Sequence, residues 1–350
     1  MTKAYDIKIS DLEDILSILQ DNMSDMTVIM DAIRLSEYIK RLKREFKPGD
    51  VAITTYEQLQ DDLEYYDLYK PIYPITERFV ESGLKLEELK RPTKYKSILL
   101  SDEQVMNDAL EFYSHQGSTF SSLFKDFKEE ANDHLKFIEE TPETEGETIF
   151  LKSIGEAFVF TPNYSNITKF TILIHEIQHV LDFYLNPLFS EEFIIRESIS
   201  MFMEMIATDF ITGKYKLARE RNKRLQFLHS VVKSQSYNAI NKMAILKIAK
   251  KSPNNEEELF KILDNNGYDK DLLDFYFEQG ITLDFSYQLA YLIAIELYFL
   301  YYKDKELTLN ICEDIIKNGN SKNIIKLLSK YGIKINGNVE SYEQMVYKKR

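Results

Sequence analysis

The spacing of apolar residues along this 350-residue chain is typical of amphipathic helices over most of its length. Apolar side chains recur at helical intervals through residues 11–46, and the same period returns after each break. Only 11 glycines and 8 prolines occur, which favours long helices over a fold with many tight turns. Further helices are predicted at about 56–66, 72–90, 101–115, 118–140 and 168–186, and from about 190 onwards with breaks at 252–255 and 265–267.

A different pattern occupies residues 141–166. Two short runs at 148–151 and 157–161 are rich in β-branched and aromatic residues, and Gly155 lies between them. They predict a small β element. Helix is predicted to resume at about 168 and to end at Asn186, because Pro187 disfavours helix in the residue before it. The predicted fold class is therefore mainly α, with a small β-sheet beside the helix that follows it.

The helix predicted at 168–186 contains His175, Glu176 and His179 in the order His-Glu-x-x-His. Residues four apart lie on one helix face with Cβ atoms about 5–6 Å apart, so both imidazoles can reach one zinc ion. Glu176 lies about 100° around the helix. There it does not bind the metal but can reach a water on it. The motif predicts zinc on His175 and His179, with Glu176 as the catalytic base.

A zinc ion used in catalysis needs a third protein ligand and one open position. The next predicted helix, capped by Ser190, contains Glu197 and Glu204. Seven residues make almost two turns, so both carboxylates point the same way. Glu197 lies among apolar neighbours and is predicted as the third metal ligand. Glu204 is predicted to orient a ligand histidine, with a solvated helix face as the alternative for that residue.

Charge and composition narrow the range of partners. The formal net charge of -13 makes a nucleic-acid partner unlikely, because an acidic surface repels phosphates. The most apolar run, residues 289–302, contains Glu296 and is shorter than the roughly 20 residues of a membrane span. It is predicted as a buried helix, with no membrane partner. The single cysteine, Cys312, and an N-terminus unlike a signal peptide are expected of a cytoplasmic protein.

The sequence resembles the thimet oligopeptidase and oligoendopeptidase F family of zinc peptidases. That family carries His-Glu-x-Gly-His and then a helix of Glu-x-x-Ser-x-x-x-Glu character, whose spacing Glu197, Ser200 and Glu204 reproduce. Other family segments are similar in the same order along the chain. They are Tyr66-Asp67-Leu68-Tyr69-Lys70-Pro71-Ile72, Lys152-Ser153-Ile154-Gly155-Glu156-Ala157-Phe158 and Phe285-Ser286-Tyr287-Gln288-Leu289-Ala290-Tyr291.

The resemblance implies zinc-dependent hydrolysis of peptide bonds in oligopeptides or in exposed protein segments. It implies a helical catalytic domain at residues 61–350 after an N-terminal helical segment at residues 1–60. It also implies that Tyr287 or Tyr291 donates a hydrogen bond to the oxyanion, although either tyrosine could simply pack in the core. An edge strand that binds extended peptide substrate is implied as well. Its residues are Gly155, Glu156, Ala157 and Phe158.

Several departures from the family leave alternatives open. Gln178 replaces the glycine that the family's metal motif usually carries. The family also has a histidine shortly before its tyrosines, whereas no histidine follows His229 in this sequence. Gln279 falls near the position of that histidine. The chain is also shorter than typical members. A zinc-binding protein that lost turnover and acts as a scaffold is one alternative. The others are a zinc peptidase of another class and a structural zinc protein, which would have four protein ligands. His115, His134 and His229 have no partner at ligand spacing and are expected to pack or lie at the surface.

Overall fold

The computed structural model describes residues 7–23, 25–43, 54–83, 94–139, 146–188, 193–252, 255–277, 281–320, 323–340 and 342–343. The predicted cap Ser190 and Gln279, which falls near the family's histidine, lie outside the described residues. The predicted boundary at residue 60 falls within a helix, Thr55–Tyr69, and the division of the chain into two units stays a prediction.

Helices precede and follow a short β region, so the predicted fold class is confirmed. The first part of the chain forms α1 Ile9–Asp21, α2 Met26–Leu42, α3 Thr55–Tyr69, α4 Tyr73–Glu81, α5 Asp102–Ser114 and α6 Gly117–His134. The β region consists of β1 Leu135–Ile138, β2 Glu147–Leu151 and β3 Glu156–Pro162. The remaining elements are α7 Thr168–Leu185, α8 Phe193–Lys214, α9 Ala218–Ala249, α10 Glu256–Asn265, α11 Lys270–Tyr276, α12 Ile281–Tyr301, α13 Lys305–Asn318 and α14 Ile324–Lys330.

The helix predicted at 118–140 ends earlier than its periodicity indicates. Helix α6 stops at His134, and the next four residues form strand β1, which pairs in parallel with β3 from Leu135 opposite Val159 onwards. Pairing with a strand that lies more than twenty residues away in the sequence overrides the local helical pattern. The single helical pattern at 11–46 is likewise divided, because Asp25 caps a new helix by accepting a hydrogen bond from the Thr27 amide at 2.7 Å.

The sheet has the strand order β1-β3-β2. Strand β3 is central: it pairs in parallel with β1 and antiparallel with β2, whose Leu151 lies opposite Glu156 and whose Ile149 lies opposite Phe158. The prediction that residues 155–158 form an edge strand is therefore wrong. In the described part of the chain β2 pairs only with β3, so its other side is an open sheet edge.

Helices cover both faces of the sheet. On one face Ile149 and Phe160 pack against α1 and α2, and the Tyr38 and Phe160 rings have centroids 4.3 Å apart. On the other face Phe150 packs against α7, with its ring centroid 5.2 Å from that of Phe183. The alternation of side chains along β2 therefore fixes α7 against one face of the sheet and α2 against the other.

The core is built around α7, α8 and α12, which are buried over most of their lengths. The apolar run at 289–302 lies in α12 and is mostly buried, as predicted. No helix within the described ranges has the length and apolar character needed to cross a membrane.

Candidate metal centre

Helix α7 places His175 and His179 on one face, one turn apart. The helix begins at Thr168, whose amide donates to the Asn166 side chain at 2.8 Å, and its other faces are packed with apolar residues. The two imidazole centroids are 4.8 Å apart with the ring planes nearly perpendicular. This geometry agrees with the sequence prediction that both imidazole rings face the same point.

Helix α8 brings a carboxylate to these rings. The Oε2 atom of Glu197 lies 3.3 Å from Nε2 of His175, and its Oε1 atom lies 3.4 Å from Nε2 of His179. One ligand atom from each of the three residues falls within 4.8 Å of the others, so the three can hold one metal ion. Glu197, which lies on the next helix, α8, is the residue that the sequence predicted as the third ligand.

The electrostatics of the cluster fit a cation. Burial lowers the pKa of His175, but the carboxylates of Glu197 and Glu204 close to its ring outweigh it and raise that pKa well above its ordinary value. Burial raises the pKa of Glu197, but the histidines and Arg196 outweigh it and bring that pKa to about 2. Burial keeps the pKa of His179 well below its ordinary value, which leaves a neutral nitrogen lone pair. The buried Oε2 atom of Glu197 makes no hydrogen bond. Two nitrogens and this ionised oxygen form a donor set that suits zinc.

Each ligand histidine is supported on the side away from the cluster. Nδ1 of His175 lies 3.2 Å from Oε2 of Glu204, and Nδ1 of His179 lies 2.9 Å from Oγ of Ser200. Arg224 of α9 donates from Nε and Nη2 to Oε1 of Glu204, at 2.8 and 2.6 Å. When both Nδ1 atoms carry the proton, both Nε2 lone pairs face the same point. Glu204 is therefore placed as predicted, whereas Arg224 was not found from the sequence.

Glu176 lies beside this cluster, and a residue of strand β2 contacts its carboxylate. The hydroxyl of Thr148 is 2.7 Å from Oε2 of Glu176 and 3.0 Å from its backbone oxygen. Burial raises the pKa of Glu176 to about 7, although His175 and the Thr148 hydrogen bond act in the opposite direction. Gly146 approaches so closely that a Cβ atom there would lie 2.6 Å from Oε1 of Glu176. The carboxylate is thus confined between β2 and its own helix.

Solved structures of peptidases resemble this arrangement of helices and sheet. PZ peptidase A, solved with an inhibitor, matches with a TM-score of 0.53 and 15% identity over 95% of this chain. A protein described as an oligoendopeptidase F matches with a TM-score of 0.52 and 13% identity, also over 95% of this chain. The chain has the oligoendopeptidase F fold. A further oligoendopeptidase F structure, from Bacillus anthracis, gives a TM-score of 0.49 with 15% identity over 94% of this chain.

The match covers this chain almost completely but the solved proteins only in part. The chain spans 66% of PZ peptidase A, 65% of the second structure and 63% of the Bacillus anthracis protein. No protein-family model and no curated protein matches the sequence. The resemblance of this chain to the solved peptidases is therefore one of fold.

The two tyrosines predicted to serve the oxyanion are placed differently within this oligoendopeptidase F fold. Tyr291 is fully buried, and its hydroxyl is 2.8 Å from Nδ1 of His229, whose Nε2 is 2.8 Å from Glu343. Tyr287, one turn earlier on α12, is half-buried and packs edge-on against Phe193 at the start of α8. Tyr291 is therefore packed inside the core, whereas part of the Tyr287 side chain reaches solvent.

The residues predicted to bind substrate backbone lie in a turn and in the central strand of the oligoendopeptidase F fold, not in an edge strand. Gly155 has a φ of 75° and closes the turn between β2 and β3, where few residues other than glycine fit. Ala157 and Phe158 are buried, and Glu156 is bound by His134 at 2.7 Å. The open edge beside Glu176 belongs to β2 instead.

The glutamine that replaces the usual glycine of the motif faces away from the cluster. Nε2 of Gln178 donates to Asp182 at 2.6 Å, and its Oε1 atom is 3.3 Å from the Tyr113 hydroxyl. These contacts tie α7 to α5 within the core. Nothing in them obstructs His175 or His179, so the departure from the family's pattern leaves the cluster intact.

Proposed function

We propose that the protein is a zinc-dependent metalloendopeptidase that hydrolyses peptide bonds in oligopeptides or in exposed protein segments. The observation that carries the proposal is the convergence of His175, His179 and Glu197 on one point beside the confined carboxylate of Glu176. A bound zinc ion would polarise the scissile carbonyl and lower the pKa of water. The peptidase names of proteins with the same fold support the same reaction class.

Glu176 supplies the proton transfers. A carboxylate whose pKa lies near 7 can accept the proton of an attacking water and return it to the leaving amine. Thr148 donates to Oε2 of Glu176, and Gly146 leaves room for Oε1, so the carboxylate is held in one position. Glu204 and Ser200 hold the two imidazoles so that their Nε2 atoms face the cluster.

The open edge of β2 is the proposed site for the peptide backbone. An extended peptide can add to such an edge through main-chain hydrogen bonds, and Thr148 of β2 contacts Glu176 directly. Tyr287 is proposed as the donor to the oxyanion. The single cysteine, Cys312, is a buried free thiol, which agrees with the cytoplasm as the proposed compartment.

Zinc content and cleavage of a mixed quenched-fluorescent peptide library, for wild type and Glu176→Gln, test the proposal. We expect both proteins to bind one zinc ion and only wild type to cleave. If both bind zinc and neither cleaves, the result favours a zinc-binding scaffold that has lost turnover or a highly selective protease. If neither binds zinc, the metal assignment itself is wrong.

A further inference from the structure

A pocket of about 250 Å³ runs along the open edge of β2. Helix α2 forms one wall with Arg34, Tyr38 and Arg41, and Arg196 of α8 forms another. The volume is below the range of about 300–1,000 Å³ that drug-sized ligands occupy, so the pocket suits one or two residues of a longer ligand.

This pocket adjoins the metal centre through two residues. Thr148 lines it, and the hydroxyl of Thr148 is 2.7 Å from Oε2 of Glu176. Arg196 lines it as well, and its Nη2 atom is 3.6 Å from Oε1 of Glu197. A peptide that lies along β2 with its scissile bond at the metal centre would therefore place neighbouring residues in this pocket.

The lining of the pocket is rich in arginine, although the whole chain is acidic. Three guanidinium groups line it, against the two carboxylates of Glu37 and Glu147, whereas the chain carries a formal net charge of -13. Glu147 lies 3.4 Å from Arg41 and offsets that charge. Arg196 lies beside Glu197 and over the ring of Phe150 at 5.5 Å. The third arginine of the lining is Arg34, which shares helix α2 with the lining carboxylate Glu37.

Arg34 is well placed to bind an anion. Its side chain is 47% exposed, and its ion pair with Asp31 is long, with Nη1 3.9 Å from Oδ1. The other oxygen of Asp31 accepts hydrogen bonds from the amide and hydroxyl of Ser153, at 2.8 and 2.7 Å. A guanidinium group presents a planar fork of donors that matches a carboxylate.

We propose that this pocket binds a carboxylate of the substrate through Arg34, which makes acidic peptides the preferred substrate class. The carboxylate belongs either to an acidic side chain or to the C-terminus of a short peptide. This inference rests on the proposed function, because it assumes a peptide along β2. Since the whole chain is acidic, the selection acts at short range, by direct contact with the guanidinium group.

Peptide binding to the full-length, zinc-loaded Glu176→Gln variant tests this proposal without turnover. Fluorescence anisotropy measures the Kd of labelled peptides that carry Glu or Gln at each position in turn, with either a free or an amidated C-terminus. We expect one carboxylate to improve binding about tenfold, as charge-assisted hydrogen bonds do. The position of the effect identifies its source, side chain or C-terminus.

A second substitution in the same background assigns the effect to Arg34. Arg34→Gln is expected to abolish the preference for the carboxylate, so that acidic and neutral peptides bind equally, whereas Arg34→Lys retains part of the preference. Lys40→Gln is the matched control, because Lys40 is exposed on the same helix and does not line the pocket, and its substitution removes the same charge. This control is expected to keep the preference.

The outcomes separate the pocket from the catalytic proposal. Any of four results would overturn the pocket proposal, even if wild type cleaves peptides. These are equal binding of acidic and neutral peptides, tighter binding of basic peptides, no binding of any peptide, and a preference that survives Arg34→Gln. Selective binding that depends on Arg34 supports the pocket, even if wild type cleaves nothing and the peptidase proposal fails.

Discussion

The Oε2 atom of Glu204 lies 3.2 Å from Nδ1 of His175, while Oε1 of the same carboxylate is held by Arg224. All three residues are largely buried, so neither the carboxylate nor the guanidinium can turn to water without leaving the other unpaired. The Glu204 carboxylate lies on the Nδ1 side of the His175 ring, and Nε2 of the ring faces Glu197. The geometry of the cluster thus depends on helix α9, which contributes no ligand.

Replacing Glu204 by glutamine is expected to weaken zinc binding about 10–100-fold, as loss of a partner behind a ligand histidine does. The amide still offers an oxygen to Arg224 but no charge to His175. Competition with a chromogenic chelator measures the affinity, and circular dichroism checks the fold. Glu129→Gln, an exposed glutamate on α6, is the control and should leave the affinity unchanged. Equal affinity of wild type and Glu204→Gln would show that Glu204 does not orient His175.

Ser200 offers a sharper comparison, because Ser198 on the same helix is equally buried. The Ser200 hydroxyl is 2.9 Å from Nδ1 of His179, whereas that of Ser198 donates to the backbone oxygen of Ile194 at 2.6 Å. Ser200→Ala should weaken zinc binding about tenfold, and Ser198→Ala should not. The same chelator competition decides this, and equal effects of the two substitutions would contradict the role given to Ser200.

Gly146 is expected to set the position of the catalytic base. In Gly146→Ala the new methyl group would lie 2.6 Å from Oε1 of Glu176 and equally close to Ile172, so the carboxylate must move. We expect kcat to fall about a hundredfold with little change in zinc content, since a small displacement of a reacting group costs that much. Steady-state kinetics and metal analysis measure the two quantities.

Gly213→Ala is the control for this substitution. A Cβ atom at Gly213 meets no other atom within 4 Å, and Gly213 lies in helix α8, where alanine is the better helix former. Activity should stay at the wild-type level. Unchanged kcat in Gly146→Ala would mean that the position of Glu176 is not limited by this contact.

The buried His229 predicts a dependence of stability on pH. Burial lowers its pKa below the ordinary value of 6.5, although Glu343 acts in the opposite direction. The unfolded chain therefore binds a proton more readily than the folded chain as pH falls below about 6.5. The stability that neutral His229 provides is complete above that pH and declines below it.

Urea unfolding between about pH 5 and 8 checks this expectation. The free energy of unfolding of wild type, relative to His229→Gln, should decrease as pH falls through about 6.5. A difference between wild type and His229→Gln that is constant across this range would contradict the prediction.

Local spacing in the sequence was enough to predict which side chains come together in most of the His/Glu cluster. His175 and His179 are one helical turn apart, and Glu197 and Glu204 are nearly two turns apart, so secondary structure alone brings each pair to one face. Arg224 was missed because it lies 20 residues beyond Glu204 on another helix, and only tertiary packing brings the two together. Thr148 was missed for the same reason, since it reaches Glu176 across 28 residues.

The strand order was the least predictable part of the fold. The segment at 148–161 was predicted as β structure, but its apolar pattern carries no information on which strand is central. The central strand could not be identified without β1, whose residues continue a helical sequence pattern. Strand β1 pairs with β3 on the side opposite β2. As a result the predicted substrate edge was assigned to Gly155–Phe158, although the open edge beside Glu176 is that of β2.

The most direct test of the metal centre is a crystal structure of the zinc-loaded protein, with anomalous scattering measured at the zinc edge. We expect one zinc ion bound by Nε2 of His175, Nε2 of His179 and the Glu197 carboxylate, at about 2.0–2.2 Å, with a non-protein ligand in the fourth position. Zinc at another place, or a fourth ligand from the protein that closes the site, would contradict it.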